Sequence, residues 1–174
     1  MHTLSNNLSL VGKVNITADK LTQAIKSIVP ISGECSIKWC DDAEIYELNY
    51  QFRGMDKPTN VLSFPNEDYC VDTQGEVSNP SESSTRKAAS HVRAVGEHGD
   101  EQNTYLGDIA ISLETIEREA GEQGKDIEHH LVHMVVHGIL HLLGYDHEKP
   151  QDAEEMESLE INILSKLGID NPYK

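Results

Sequence analysis

The sequence predicts one domain, residues 1–174, built from both helices and strands. Five stretches carry apolar residues at helical spacing, and three short stretches rich in β-branched and aromatic residues read as strands. The composition, with 37% hydrophobic and 25% charged residues over 174 positions, suits a globular chain able to bury one sizeable core.

Taken in order, "TADKLTQAIKSIV" (17–29) is the first helix, with Leu21, Ile25 and Ile28 on one face and Thr17 or Asp19 as its cap. Pro30 and Gly33 end it. The strand "CSIKWC" (35–40) follows, then a helix over 41–52 opened by Asp41 and Asp42. The turn "GMDKPT" leads into the strand "NVLSF" (60–64). "YLGDIAIS" (105–112) is the third strand, and the helix "LETIEREAGEQG" after it stops at a glycine. A long helix covers 126–143 and ends at Gly144. The last helix, 151–167, shows the apolar stripe Met156, Leu159, Ile163 and Leu167, with Gly168 just past its end.

Between Asn66 and Asn103 the composition turns polar and loses periodicity, so 66–104 is expected to be a mobile insertion between two strands. It holds a small basic cluster, Arg86, Lys87 and Arg93. The whole chain carries a net charge of −16, which argues against indiscriminate binding to nucleic acid or anionic membrane. A polyanionic substrate would have to be met by a local basic site or a metal. Cys35 and Cys40, five apart on a strand, point to opposite faces, so reduced structural thiols are expected rather than a disulfide or a zinc pair. No apolar run reaches membrane-spanning length, and "MHTLSNNLSL" has neither a basic nor a continuous apolar segment of a secretory signal. A cytoplasmic location with no membrane partner is expected.

The stretch "VHGILHLLGYDH" (136–147) concentrates the chemistry. His137 and His141 are four apart and stack on one helical face. Gly144 can take the left-handed conformation that turns the chain back, which lets His147 supply a third nitrogen. Three imidazoles with one tetrahedral position open is the arrangement of a catalytic zinc, and one Zn2+ per chain is expected. His133 and the pair His129 and His130 lie further back along the same helix, as supporting or surface residues. Asp146 either accepts the distal N–H of a ligand histidine or caps the following segment. The spacing matches the metzincin pattern, but Gly138 stands where those proteases carry their catalytic glutamate. Peptide hydrolysis by the usual route therefore lacks its general base.

"HGILHLLGYDH" resembles the motif of the bacterial endoribonuclease YbeY family. "FRGMDKPTNVLSFPNE" (52–67) is similar to that family's second conserved block and "YLGDIAIS" to its third. "EEMESLEINILSKLG" followed by "NPY" is similar to its C-terminal helix and tail. The resemblance runs from about Asp41 onward. It implies an α+β fold in which a small mixed sheet packs against helices, with a zincin-like metal site on the long helix. It also implies a metal-dependent endoribonuclease specific for single strands, acting in 16S rRNA 3′-end maturation and ribosome quality control. The implied partners are ribosomal RNA and the small ribosomal subunit or its proteins, with no DNA. By position it places His137, His141 and His147 on the family's metal ligands and Arg53 on its functional arginine. Cleavage is then expected to depend on His137 and Arg53. A guanidinium fork suits the charge that gathers on a phosphodiester under attack. Lys57, Thr59, Asn60 and Ser63 are further candidates for phosphate or supporting contacts, though "KPTN" also reads as a plain turn. In one respect the chain departs from the family, because some 39 residues (66 to 104) join "LSFP" to "LGDI" where family members use a much shorter link. Two alternatives remain open, a metzincin-like metalloprotease and a non-enzymatic, zinc-stabilised ribosome-assembly factor. The −16 charge suits the second, which would dock on a basic ribosomal protein.

Overall fold

A computed structural model of the chain describes residues 16–29, 33–66 and 105–174. Helix α1 (Ala18–Ile28) begins at Thr17, whose Oγ1 accepts from the Lys20 amide at 3.3 Å. Strand β1 (Glu34–Cys40) leads to α2 (Asp42–Arg53), where Asp41 caps the start and left-handed Gly54 ends the last turn. Strands β2 (Val61–Pro65) and β3 (Tyr105–Ser112) follow. Ser112 caps α3 (Leu113–Gln123), Asp126 caps α4 (Ile127–Leu142), and α5 (Pro150–Lys166) opens on a proline. Among the described residues every boundary falls within one residue of the sequence expectation, because caps and periodicity are local signals.

The three strands form a mixed sheet in the order β1-β3-β2, with β3 parallel to β1 and antiparallel to β2. The register between β1 and β3 slips once, since Glu34 pairs with Tyr105 but Cys35 with Gly107. At that slip Gly107 adopts φ +138°, and a Cβ there would stand 2.2 Å from the carbonyl oxygen of Phe64. Only glycine lets β2 and β3 approach so closely.

Helices cover both faces of the sheet. On one side α2 buries Ile45 against Cys40, Leu62 and Ala110. On the other, Ile109 and Ile111 join the main core, built from α1, α3, α4 and α5. Cys35 packs against the main core and Cys40 lies in the smaller cluster, both as free thiols, as strand alternation requires. Cys70, the basic residues Arg86, Lys87 and Arg93, and the insertion itself apart from Asn66 lie outside the described residues. No helix among the described residues is long and apolar enough to cross a membrane.

Helix α4 is apolar nearly all round and is accordingly the most enclosed element. The edge strand β2 is tied to its middle, where Ser63 Oγ donates to the Gly138 carbonyl at 3.0 Å. Helix α5 packs along it, with Met156, Ile163 and Leu164 in the shared core. This packing leaves the C-terminal turn of α4 to carry the histidines.

Candidate metal centre

At the end of α4 the backbone closes in a Schellman turn. The Gly144 amide donates to His141 O at 3.0 Å and the Tyr145 amide to Leu140 O at 3.1 Å, with Gly144 at φ +88°. The left-handed step reverses the chain and brings His147 back over the helix end. The side-chain donor atoms of His137, His141 and His147 then all lie within 4.8 Å of one another. The rings of His137 and His147 stack at a centroid distance of 5.3 Å, and those of His141 and His147 stand 5.0 Å apart.

The same turn sets one tautomer. His141 Nδ1 donates to the Tyr145 carbonyl oxygen at 3.0 Å, which leaves Nε2 as the free lone pair. Burial first, then the neighbouring His137 and His147, push the His141 pKa down to about 4, so this ring is neutral at pH 7. His137 is fixed from the opposite side. Its Nδ1 donates to Glu160 Oε1 at 2.7 Å, and its Nε2 faces His141 Nε2 at 3.1 Å.

Glu160 is a carboxylate with 0% exposure, carried on the inner face of α5. Its Oε2 accepts from His133 Nε2 at 2.9 Å and from the Tyr173 hydroxyl. Burial alone would raise its pKa, but the hydrogen bonds from His133, His137 and Tyr173 outweigh that and hold it at about 2. A carboxylate ionised over the whole working range accepts only, so His137 must donate from Nδ1.

These facts test whether the residues suit a metal. In their neutral forms His137 and His141 turn bare nitrogens toward each other across 3.1 Å, and such a pair needs a cation between them. An added proton satisfies two rings, whereas a divalent ion is within reach of His147 as well. Ligands around a tetrahedral zinc with bonds of about 2.0–2.1 Å stand roughly 3.3 Å apart, close to the observed nitrogen separation. The donor set fits.

Several of the other sequence candidates make structural hydrogen bonds. His130 Nε2 donates to Glu119 Oε2 at 2.9 Å, and Glu119 also accepts from Asn60 Nδ2 at 3.1 Å. Asn60 Oδ1 in turn accepts from the Val61 amide at 2.8 Å, and the Thr59 hydroxyl also donates to it. The Lys57 carbonyl accepts from Asn49 Nδ2 at 2.8 Å, so "KPTN" is the braced turn that its residues suggested. Asp146 Oδ1 accepts from the His147 backbone amide at 2.7 Å, a local turn contact. Arg53 is exposed at the last position of α2 and forms no ion pair among the described residues. Gly138 faces the sheet, where a Cβ would meet Ile109 Cγ2 at 3.0 Å and Ser63 Oγ at 3.3 Å. A glutamate here, as in the protease pattern, would press on Ile109 and Ser63 and require them to shift.

A sequence profile described as Endoribonuclease YbeY matches residues 6–168. The chain belongs to the endoribonuclease YbeY family. Among YbeY proteins similar to it, Endoribonuclease YbeY of Dinoroseobacter shibae is 46% identical over 145 residues, covering 83% of this chain and 72% of that protein. Endoribonuclease YbeY of Chelativorans sp. is 45% identical over 144 residues, with the same coverages of 83% and 72%. The solution structure of TM1509 from Thermotoga maritima shares the fold, with a TM-score of 0.50 at 24% identity over 94% of this chain and 87% of that one.

Set in the YbeY frame, two residues stand out that the sequence reading missed, Glu160 and Tyr173. Glu160 was detectable in principle, because it lies four residues after Met156 and three before Ile163, within the buried stripe of α5. An acid on an apolar helical face asks for a partner. Tyr173 gave no such signal.

The histidine pKa values set how the metal-free protein responds to acid. A ring depressed to about 4 when folded and near 6.5 when unfolded binds its proton more readily in the unfolded state. Burial likewise lowers the His130 pKa, against the opposing pull of Glu119. Stability is therefore fully present above pH 6.5 and falls as the pH drops toward 4. Urea midpoints measured in chelator from pH 7.5 to 4 are expected to decline through this window, and a flat profile would contradict it.

Proposed function

We propose that this chain is a zinc-dependent endoribonuclease that cuts single-stranded RNA, working in the cytoplasm on the 3′ end of 16S rRNA and in ribosome quality control. The reading treats residues 1–174 as one catalytic domain with an insertion at 66–104. It assigns one zinc to His137, His141 and His147, and the charge-stabilising role to Arg53. The observation that carries it is the convergence of three imidazole donors, two with tautomers fixed by Glu160 and Tyr145, in a chain of the YbeY family.

A divalent cation at this site supplies Lewis acidity toward water and a phosphoryl oxygen. His137 and His141 both donate from Nδ1, so Nε2 is the atom each presents to a metal. Glu160 places a negative charge behind His137 and increases the electron density of that ring. Arg53, exposed and unpaired among the described residues, offers a bidentate fork to the phosphodiester oxygens as charge develops there. It also supplies local positive charge in a chain of net charge −16.

The test is cleavage of a labelled single-stranded RNA by the purified protein, with and without chelator, beside an Arg53→Ala preparation. Cleavage is expected to stop with chelation, return with added zinc, and fall on the order of 10²–10³-fold in Arg53→Ala, the usual cost of losing one such charge-stabilising donor. Cutting that is indifferent to both treatments would mark a contaminant and end the proposal. A casein digest run in parallel is expected to show no cleavage.

A further inference from the structure

The C-terminal tail reaches the histidine site through a single carboxylate. Residues beyond α5 turn at Gly168 and bury Ile169 in the main core, and the Ile169 amide donates to Leu164 O at 3.0 Å. Lys125 Nζ, from the connection between α3 and α4, then donates to the Pro172 carbonyl at 2.8 Å. The Tyr173 amide donates to Asn171 Oδ1 at 2.9 Å. Held on both sides in this way, the Tyr173 ring stands edge-on to His133 at 5.5 Å, and its hydroxyl donates to Glu160 Oε2.

Glu160 has no access to water, so its orientation depends on its three protein donors. His133 and Tyr173 share Oε2, and Oε1 is thereby aimed at His137 Nδ1. We infer that Glu160 and Tyr173 are positioning residues for His137, so that docking of the C-terminal tail sets how tightly the three-histidine site holds a divalent cation. The inference rests on the proposed metal role of that site. A carboxylate behind a ligand histidine fixes the tautomer and ring orientation, and losing it typically weakens metal affinity by about 10–100-fold. Tyr173 acts one bond further out, so its removal has the smaller effect. Tyr173 is 46% exposed and its hydroxyl is the only atom lost in Tyr173→Phe, so that variant keeps the fold.

The experiment titrates the metal-free full-length chain with Zn2+ against a chromophoric chelator, and records the Co2+ absorption spectrum of each loaded sample. Wild type, Tyr173→Phe, Glu160→Gln and His147→Ala are compared, with the thermal midpoint of each metal-free sample. Tyr173→Phe is expected to weaken zinc binding by roughly tenfold and Glu160→Gln by about 10–100-fold, with altered Co2+ bands. Tyr173→Phe is expected to stay folded with a modestly lowered metal-free midpoint, since it too removes one donor to Glu160. Should Glu160→Gln fail to fold, Tyr173→Phe decides alone. Wild-type affinity and spectrum in Tyr173→Phe would overturn the inference, and one-to-one binding by wild type would leave the metal centre standing. If wild type binds no zinc, or His147→Ala binds it equally well, the metal reading falls and this inference with it.

Discussion

Replacing Gly138 with glutamate is expected to destabilise the protein strongly rather than to create a peptidase. The substitution completes the metzincin pattern on paper, yet the position faces Ile109 and Ser63 across the sheet interface. A Cβ alone would sit 3.0 and 3.2 Å from two Ile109 carbons, which is overpacking of about 1–3 kcal/mol. The rest of the side chain adds a carboxylate with no partner in a buried layer, and the bond from Ser63 to the Gly138 carbonyl would be pushed aside. Together these cost about 4 kcal/mol or more, against the roughly 5–15 kcal/mol that holds a typical domain folded. Gly138→Ala meets only the first penalty, partly offset by better helix propensity of up to about 1 kcal/mol. Urea denaturation ranks the three proteins, and the expected order is wild type, then alanine, then glutamate far below. A folded Gly138→Glu protein that digests casein would show that α4 can turn this face to the cleft, and would restore the protease reading.

Two ligand substitutions are expected to behave differently although both remove a proposed metal donor. His147 is exposed, its hydrogen bond to Asp146 comes from the backbone amide, and its ring packs on those of His137 and His141, so His147→Ala removes a donor and an exposed ring contact. Zinc binding and RNA cleavage should be lost with the metal-free stability unchanged to within about 0.5 kcal/mol. His137→Ala should lose both activities and also destabilise the metal-free protein. It removes one of three donors to a carboxylate that water does not reach, at a cost of about 1–3 kcal/mol. Chemical denaturation in chelator separates the two cases. Cleavage by His147→Ala at the wild-type rate would sink the proposed centre, and equal midpoints for both variants would show that Glu160 does not depend on His137.

The contrast between His147 and Glu160 marks what is readable from a chain. The triad was legible because its geometry is almost entirely local. Two residues four apart share a helical face, and a glycine three residues beyond His141 allows the reversal that returns the third ring. Glu160 is 23 residues from His137, and their contact exists only because α5 packs along α4 at one rotation. Tyr173 is more remote still, since its place depends on how Lys125 and Ile169 pin the tail. Arg53 is a different case. Its importance came from likeness to the YbeY family, and the structure adds only that it is exposed at the end of α2.

By itself the sequence determined every helix and strand boundary among the described residues to within one residue, the opposed faces of Cys35 and Cys40, and the histidine triad with its turn. These rest on caps, periodicity and single-residue conformations, whose interactions span a few positions along the chain. The tertiary structure alone decided that β3 is central between β1 and β2, and that a side chain at Gly138 would press on Ile109 and Ser63. It also decided that a buried carboxylate on the last helix, tied to the C-terminal tyrosine, stands behind a histidine of the site. The reason is that strand order, helix rotation and tail docking are settled by burial of a shared core, which sums contacts between distant segments and leaves no local mark on any one of them.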